Sequence, residues 1–80
     1  MSLETTEIWP DCRRILKGEI PEKLFNTWIL PIHSIEKKNS IKLLAPNNFV
    51  LKKVSQDYLN RIEEIVLEKN SSIDLSFTVG

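Results

Sequence analysis

The stretch Ala45-Pro46-Asn47-Asn48-Phe49-Val50 marks the point where one pattern of apolar residues gives way to another. Before it, residues 40–45 alternate between polar and apolar side chains, as a half-buried strand does. After it, apolar residues recur at steps of three and four, as on the buried stripe of a helix. They are Val50, Val54, Tyr58, Ile62, Ile65 and Val66. Pro46 cannot continue the strand and Asn47 or Asn48 can cap a helix, so we expect one long helix over about 48–69.

A first helix is predicted near the start of the chain by apolar residues at helical spacing over about 6–17. Thr5 and Thr6 are its candidate N-caps, and Gly18 is expected to end it. Residues 1–5 are expected to form a frayed tail.

A second, shorter helix is predicted between two prolines. It opens at Pro21 and stops at Pro31, and Leu30 should already be extended because a proline follows it. Its apolar face consists of Leu24, Phe25, Trp28 and Ile29. We expect Phe25 and Trp28 to be largely buried in the core.

Three segments have the period-two pattern of strands. Residues 32–36 and 40–45 form a hairpin, with Asn39 expected at positive φ in its turn. Residues 73–79 alternate without a fault and form the last strand. The order α-α-β-β-α-β predicts an α+β domain, a three-stranded sheet covered by helices on one face.

Length and composition restrict the possible functions. Eighty residues form a single domain over 1–80, and 11 basic residues balance 11 acidic ones, which argues against phosphate-backbone binding as the main task. The single cysteine, Cys12, excludes an internal disulfide and is consistent with a reducing cytosol. No apolar run approaches the ~20 residues of a membrane span.

Catalytic and metal-binding patterns are scarce. His33 is the only histidine, so the sequence offers no two-histidine metal site and no histidine relay. Glu63 and Glu64 are adjacent on a helix and point about 100° apart, so they do not share a site. Cys12 lies in a helical stripe, where packing explains it better than nucleophilic chemistry. We therefore expect no enzyme, and no cofactor or metal in this domain.

Trp9 is a candidate interface anchor. The inner stripe of the first helix can be drawn through Cys12, Ile15 and Leu16 without it, so we expect Trp9 to be exposed. Ile8, Trp9 and Cys12 lie within one broad face of the helix. If this face is uncovered, it forms an apolar patch through which two copies associate weakly.

A cluster of lysines leaves open a second class of function. It consists of Lys37, Lys38, Lys42, Lys52 and Lys53. A solvated rim explains the cluster most simply, but a KH-like module that binds single-stranded nucleic acid is the alternative. Phe49 is expected to be partly exposed before the core stripe begins at Val50, and exposed aromatic rings stack on bases. The neutral charge and the absence of a GxxG sequence weigh against this alternative.

Four sequence elements occur in a specific order along the chain. They are Ile8-Trp9, then Phe25-Asn26-Thr27-Trp28-Ile29-Leu30-Pro31, then Ala45-Pro46-Asn47-Asn48-Phe49-Val50, and finally Tyr58-Leu59. In this arrangement, over about residues 7–79, the chain resembles domain I, the N-terminal domain of the bacterial chromosomal replication initiator DnaA. The resemblance implies a KH-like topology. It also implies that ATP is bound by an AAA+ domain and duplex origin DNA by another domain, both absent here.

The resemblance further implies a protein-interaction role in the bacterial cytoplasm, at the nucleoid and not at a membrane. Its implied partners are a second copy of the chain, the replicative helicase DnaB and regulators of initiation. The self-association surface of the family corresponds to Ile8, Trp9 and Cys12. The surface that contacts helicase and regulators corresponds to Leu24, Asn47 and Phe49. Leu24 stands where a well-known form of the motif has a glutamate, and Pro10 is unusual in the first helix.

Overall fold

Residues 8–80, the part of the chain that the computed structural model describes, form a three-stranded sheet with helices on one face. The helices are α1 (Ile8–Glu19), α2 (Glu22–Leu24), α3 (Asn48–Asp57) and α4 (Leu59–Lys69), and α2 continues into a π-helical segment, Phe25–Ile29. The strands are β1 (His33–Lys37), β2 (Ser40–Ala45) and β3 (Asp74–Val79). The predicted α+β fold and its element order are therefore confirmed. The predicted tail and the candidate caps Thr5 and Thr6 lie outside the described residues.

The central strand of the sheet is β2, which pairs antiparallel with β1 and parallel with β3. Its side chains alternate between the two faces, so Ile41 and Leu43 are fully buried under the helices while Lys42 between them is exposed. Leu43 lies opposite Phe77 in β3, and both contribute to the core. The period-two pattern thus predicted both the strand and the face that it buries.

Three local features differ from the prediction. Leu30 is helical, with φ −56° and ψ −37°, because its N–H donates to the carbonyl of Phe25 at 2.9 Å and closes the π-helical turn. The hairpin turn consists of Lys38 and Asn39, and no residue between 8 and 80 has a positive φ, so the expectation for Asn39 is wrong. Gly18 likewise does not end the first helix, which runs on to Glu19.

The predicted long helix is divided at Tyr58, which has φ −127° and ψ −17°. A straight α-helix turns about 100° per residue, so three steps of four residues would carry Ile62 about 120° away from Val50. The break restores the direction, because Val50 and Val54 in α3 and Ile62 in α4 are all buried. Burying residues of both halves in one core therefore requires a break in the single helix that the pattern predicted.

The described start of α1 is held by a side chain from the sheet. The carboxylate of Glu36, in β1, accepts hydrogen bonds from the backbone N–H groups of Ile8 and Trp9, each at 3.0 Å. Both N–H groups belong to the first turn of the described helix, where such groups lack a helical partner and negative charge is favourable. This long-range contact fixes the end of α1 against the hairpin.

Replacing Glu36 with glutamine tests the contact. The amide keeps one acceptor but loses the charge and the second acceptor, so we expect the free energy of unfolding to fall by about 1 kcal/mol. Chemical denaturation followed by circular dichroism measures the change. Glu63→Gln is the matched control, because Glu63 is exposed on α4. Equal stability of the two variants would show that the Glu36 contact does not support the helix.

The packing of α1 against α4 is flanked by two ion pairs. Asp11 near the start of α1 accepts from Nζ of Lys69 at 2.8 Å, and Glu19 at its end pairs with Arg61 at 2.5 Å. All four side chains are partly exposed, so the pairs orient the helices more than they stabilise the fold.

None of the helices found in residues 8–80 combines the length and the apolar character needed to cross a membrane.

Candidate functional site

Two aromatic rings meet at the surface where the π-helical segment contacts the start of α3. The ring centroids of Trp28 and Phe49 are 5.4 Å apart and their planes are inclined by 51°, a favourable tilted arrangement. Phe49 is 73% exposed, which confirms the expectation that it lies outside the core. Phe25 is buried as expected, whereas Trp28 is only partly buried and packs against the core, so the expectation for Trp28 is confirmed only in part.

The two rings line an open groove, which we call the aromatic groove, with a volume of about 420 Å³. It is lined by Trp28, Phe49, Lys52, Lys53 and Gln56. Its floor is aromatic and its rim carries two lysines and an amide. Such a mixture of rigid apolar rings and polar groups is typical of surfaces that bind other proteins.

The position of Phe49 follows from the way α3 begins. Asn47 is the N-cap, and its Oδ1 accepts a hydrogen bond from the N–H of Val50 at 2.9 Å. This cap sets the phase of the helix so that Val50 and Val54 enter the core. Phe49, one residue before Val50, is thereby turned outward into the groove. The sequence had suggested Asn47 or Asn48 as the cap, and the structure selects Asn47.

The position of Trp28 follows from the π-helical segment. Phe25 and Ile29, four residues apart, are both buried and occupy the inner side of this segment. Trp28 therefore lies at the border of the core, where one side of its indole contacts the domain and the other faces Phe49. A π-helical turn is rare in proteins and is frequently found at functional sites.

Lys53 links the charge of the groove to its aromatic floor. Its Nζ lies 5.7 Å from the ring centroid of Trp28, within the range of a cation–π interaction. The same ammonium group pairs with the carboxylate of Asp57 at 2.5 Å, and this hydrogen bond raises the pKa of Lys53. Lys53 therefore stays protonated and its side chain is held over the tryptophan.

The predicted helicase- and regulator-binding residues lie near this groove in different ways. Leu24 is 40% exposed and precedes Trp28 by four residues, while Asn47 is exposed and caps the helix that carries Phe49. The structure adds four residues that the sequence had not assigned to this site, Trp28, Lys52, Lys53 and Gln56. The sequence did contain a signal that Trp28 borders the surface, because Phe25 and Ile29 already supply the inner stripe of its segment.

The predicted self-association surface has a different environment. Trp9 is only 2% exposed, and its indole Nε1–H donates to the carbonyl of Ile32 at 3.3 Å. Cys12 is fully buried and Ile8 is half-buried. The expectation that Trp9 is exposed is therefore wrong, because its indole fills the space between α1 and the segment that leads into β1. Self-association through these residues stays a prediction, but they do not form the apolar patch from which it was argued.

The thiol of Cys12 should be unreactive in the native chain. Burial disfavours the thiolate and raises the pKa of Cys12 to about 12, so almost no thiolate exists at neutral pH. We expect a thiol reagent such as dithionitrobenzoate to modify Cys12 only slowly in buffer and rapidly in denaturant. Fast modification of the folded chain would show that this face of α1 opens in solution.

The five lysines of the nucleic-acid alternative are divided between two sides of the domain. Lys37 and Lys42 lie on the sheet face opposite the helices, and Lys38 is in the hairpin turn. Lys52 and Lys53 lie on α3, which packs against the other face of the sheet. The fold therefore does not bring the five side chains together into one track for a phosphate backbone.

Unlike Cys12, the histidine and the two adjacent glutamates singled out in the sequence are at the surface. His33 begins β1 and is exposed, and Glu63 and Glu64 are exposed on α4, where Glu64 pairs with Arg61 at 3.1 Å. Within residues 8–80, no three side chains of His, Cys, Asp or Glu come together as a set that could hold a metal ion.

A comparison with protein families identifies the chain. The model of a family described as the DnaA N-terminal domain matches residues 6–68, more than half of the 80 residues. The matched range contains both aromatic residues of the groove and every residue of the predicted interaction surfaces. The resemblance stated from the sequence is thus confirmed. The chain belongs to the family of DnaA N-terminal domains, and its role lies in replication initiation by DnaA.

Proposed function

We propose that this domain is a non-enzymatic docking module, and that the aromatic groove is the surface on which the replicative helicase DnaB or a regulator of initiation binds. The observation that carries the proposal is the exposure of Phe49 against the half-buried Trp28. A phenylalanine that is 73% exposed adds little to the stability of an isolated domain, whereas it supplies apolar area to a docking surface that a partner covers. In this role the domain acts at the origin, on the nucleoid.

The energetics of the groove suit a weak and reversible contact. Covering the exposed part of Phe49 contributes about 2 kcal/mol, and Trp28 beneath it supplies a rigid surface that loses little entropy on binding. A groove lined by five residues is smaller than a standard protein interface, so one domain alone should bind weakly. Initiator subunits assembled side by side would raise the effective concentration and strengthen the docking.

Weak self-association through α1 is a separate proposal that rests on the family resemblance. Of the predicted residues, Trp9 and Cys12 are buried, so Ile8 is the one with accessible surface. Sedimentation equilibrium with Ile8→Ser tests it, because this change alters the accessible side chain and leaves Trp9 in place. A concentration-dependent mass that is unchanged in the variant would rule out Ile8 as a contact.

Binding of single-stranded nucleic acid is the second candidate function. Lys52 and Lys53 beside Phe49 and Trp28 have the composition of a base-stacking platform. The proposal for a protein partner is preferred because the other three lysines of the cluster lie on the hairpin and the opposite sheet face. A strand that follows the groove would therefore meet two of the five lysines.

Parallel titrations decide between the two functions. Isothermal titration calorimetry with purified DnaB and, separately, fluorescence anisotropy with an oligothymidylate measure both affinities in the same buffer. We expect the helicase to bind more tightly, and the oligonucleotide to bind weakly and with a steep loss on adding salt. Tight oligonucleotide binding at physiological salt together with no helicase binding would favour the alternative function.

A further inference from the structure

A second groove lies on the other side of the π-helical segment, between this segment and α1. It has a volume of about 310 Å³ and we call it the basic groove. It is lined by Pro10, Arg13, Arg14, Lys17, Phe25 and Leu30. The four residues from α1 have the spacing i, i+3, i+4, i+7 and form its outer stripe, opposite the buried stripe that carries Cys12 and Leu16.

The charge of this groove is positive, and the carboxylates of residues 8–80 compensate only part of it. Arg14 pairs with Asp11, which also binds Lys69. In contrast, no carboxylate of residues 8–80 pairs with Arg13 or Lys17. These two side chains are four residues apart on one face of α1, so the groove carries two adjacent cations in a domain whose net charge is zero.

The opposite wall of the groove is apolar. Leu30 is 49% exposed, because the π-helical turn that ends at Leu30 turns its side chain out of the core occupied by Ile29. Phe25 lies beside it and is 4% exposed, so its ring is a packed floor and not a free stacking surface. The groove thus places an exposed leucine next to two cations that no carboxylate of residues 8–80 pairs with.

We infer that the basic groove is a second docking site, and that its ligand is an acidic peptide segment carrying an apolar side chain. The carboxylates of such a segment would pair with Arg13 and Lys17, and its apolar side chain would cover Leu30. A peptide fits better than a nucleic acid. The exposed residue of the apolar wall, Leu30, is aliphatic, and its one aromatic ring, that of Phe25, is buried and cannot stack on a base. Charge complementarity would orient the segment along α1.

The inference goes beyond the proposed function because the two grooves use different sides of the same segment. Trp28 faces α3 and lines the aromatic groove, while Leu30, two residues later, faces α1 and lines the basic groove. Among residues 8–80, none lines both grooves. Two partners, or two segments of one partner, could therefore bind at once.

A titration followed by nuclear magnetic resonance tests the inference. The probe is a short synthetic peptide in which one leucine is flanked by glutamates, added to the isotopically labelled chain at low salt. We expect shifts at the amides of Arg13, Lys17 and Leu30 and none at the indole of Trp28. Peptides with glutamine for glutamate, or serine for leucine, should each bind more weakly.

Charge reversal supplies the matched variants. Arg13→Glu with Lys17→Glu should lower the affinity for the peptide by about tenfold or more, because attraction becomes repulsion. Lys37→Glu with Lys42→Glu makes the same change in net charge on the far face of the sheet and should have a much smaller effect. If the first double variant fails to fold, Lys17→Glu alone serves, because Lys17 is exposed.

Several results would overturn the inference. They are the absence of shifts at millimolar peptide, shifts centred on Phe49, and equal binding by the peptide without leucine. Equal loss of affinity in the two double variants would show that only net charge matters. Tighter binding of an oligothymidylate at the same residues would assign the groove to nucleic acid.

Discussion

Trp9→Ala is expected to lower the free energy of unfolding by about 3–5 kcal/mol, a large part of the stability of a domain of this size. The indole is 2% exposed and donates a hydrogen bond to the carbonyl of Ile32. Its removal leaves a cavity in the core that also contains Cys12 and Leu16, and it leaves the carbonyl of Ile32 without its partner. Chemical denaturation followed by circular dichroism measures the loss.

The matched control for this variant is Trp28→Ala, which removes the only other tryptophan. Trp28 is half-buried, so Trp28→Ala should lower the free energy of unfolding by less than Trp9→Ala does. A Trp9→Ala variant that keeps nearly its full stability would place the indole at the surface and would revive Trp9 as an interface anchor.

Phe49→Ala should have the largest effect on binding, a loss of helicase affinity of about tenfold or more, while the fold stays intact. The side chain is 73% exposed, so the folded domain depends little on it, and a bound partner would depend on it strongly. Calorimetric titration with DnaB measures the affinity, and the thermal midpoint of the free variant measures the fold.

Leu67→Ala is the control for this loss, because Leu67 is also an exposed apolar residue, at 44%, but lies on α4 outside the aromatic groove. Its helicase affinity should equal that of the parent chain. Equal affinities of the Phe49 and Leu67 variants would remove the groove from the docking surface. Unfolding of the Phe49 variant would instead show that the ring supports the core.

The junction at residues 45–50 could be predicted from sequence because its chemistry is local. A proline that stops a strand, an asparagine three residues before a core valine and a change of period all lie within a few positions. The same locality explains why β2 and the exposure of Phe49 were predicted correctly. The family resemblance then implied that Phe49 is a contact residue.

The burial of Trp9 could not be read from its own helix. Two stripes were possible for α1, and the choice depends on Ile32, whose carbonyl accepts from the indole 23 positions away. The Glu36 carboxylate that holds the described start of α1 is 27 or 28 positions from the N–H groups it binds. Contacts of this kind are set by how the hairpin folds back, which helical periodicity does not encode.

The surface position of Trp28 depends on a feature that simple helical patterns do not contain. A regular helix from Pro21 to Pro31 would place four apolar residues on one face, as the sequence suggested. The π-helical segment instead divides them, with Phe25 and Ile29 inside, Trp28 at the border and Leu24 exposed. The two grooves therefore arise from one wide turn, whose hydrogen-bond pattern the side-chain sequence does not reveal.

In the proposed function, partners dock at the aromatic groove and leave the core of α1 closed. The two tryptophans provide one reporter for each region, because Trp28 lines the groove and Trp9 is buried with its indole hydrogen bonded to Ile32. The most direct test follows the two indole N–H resonances of the labelled chain while DnaB is added. We predict that the Trp28 resonance shifts or broadens selectively, ahead of any general broadening from the larger complex. A selective change at Trp9, with Trp28 no more affected than the rest of the chain, would contradict docking at the aromatic groove.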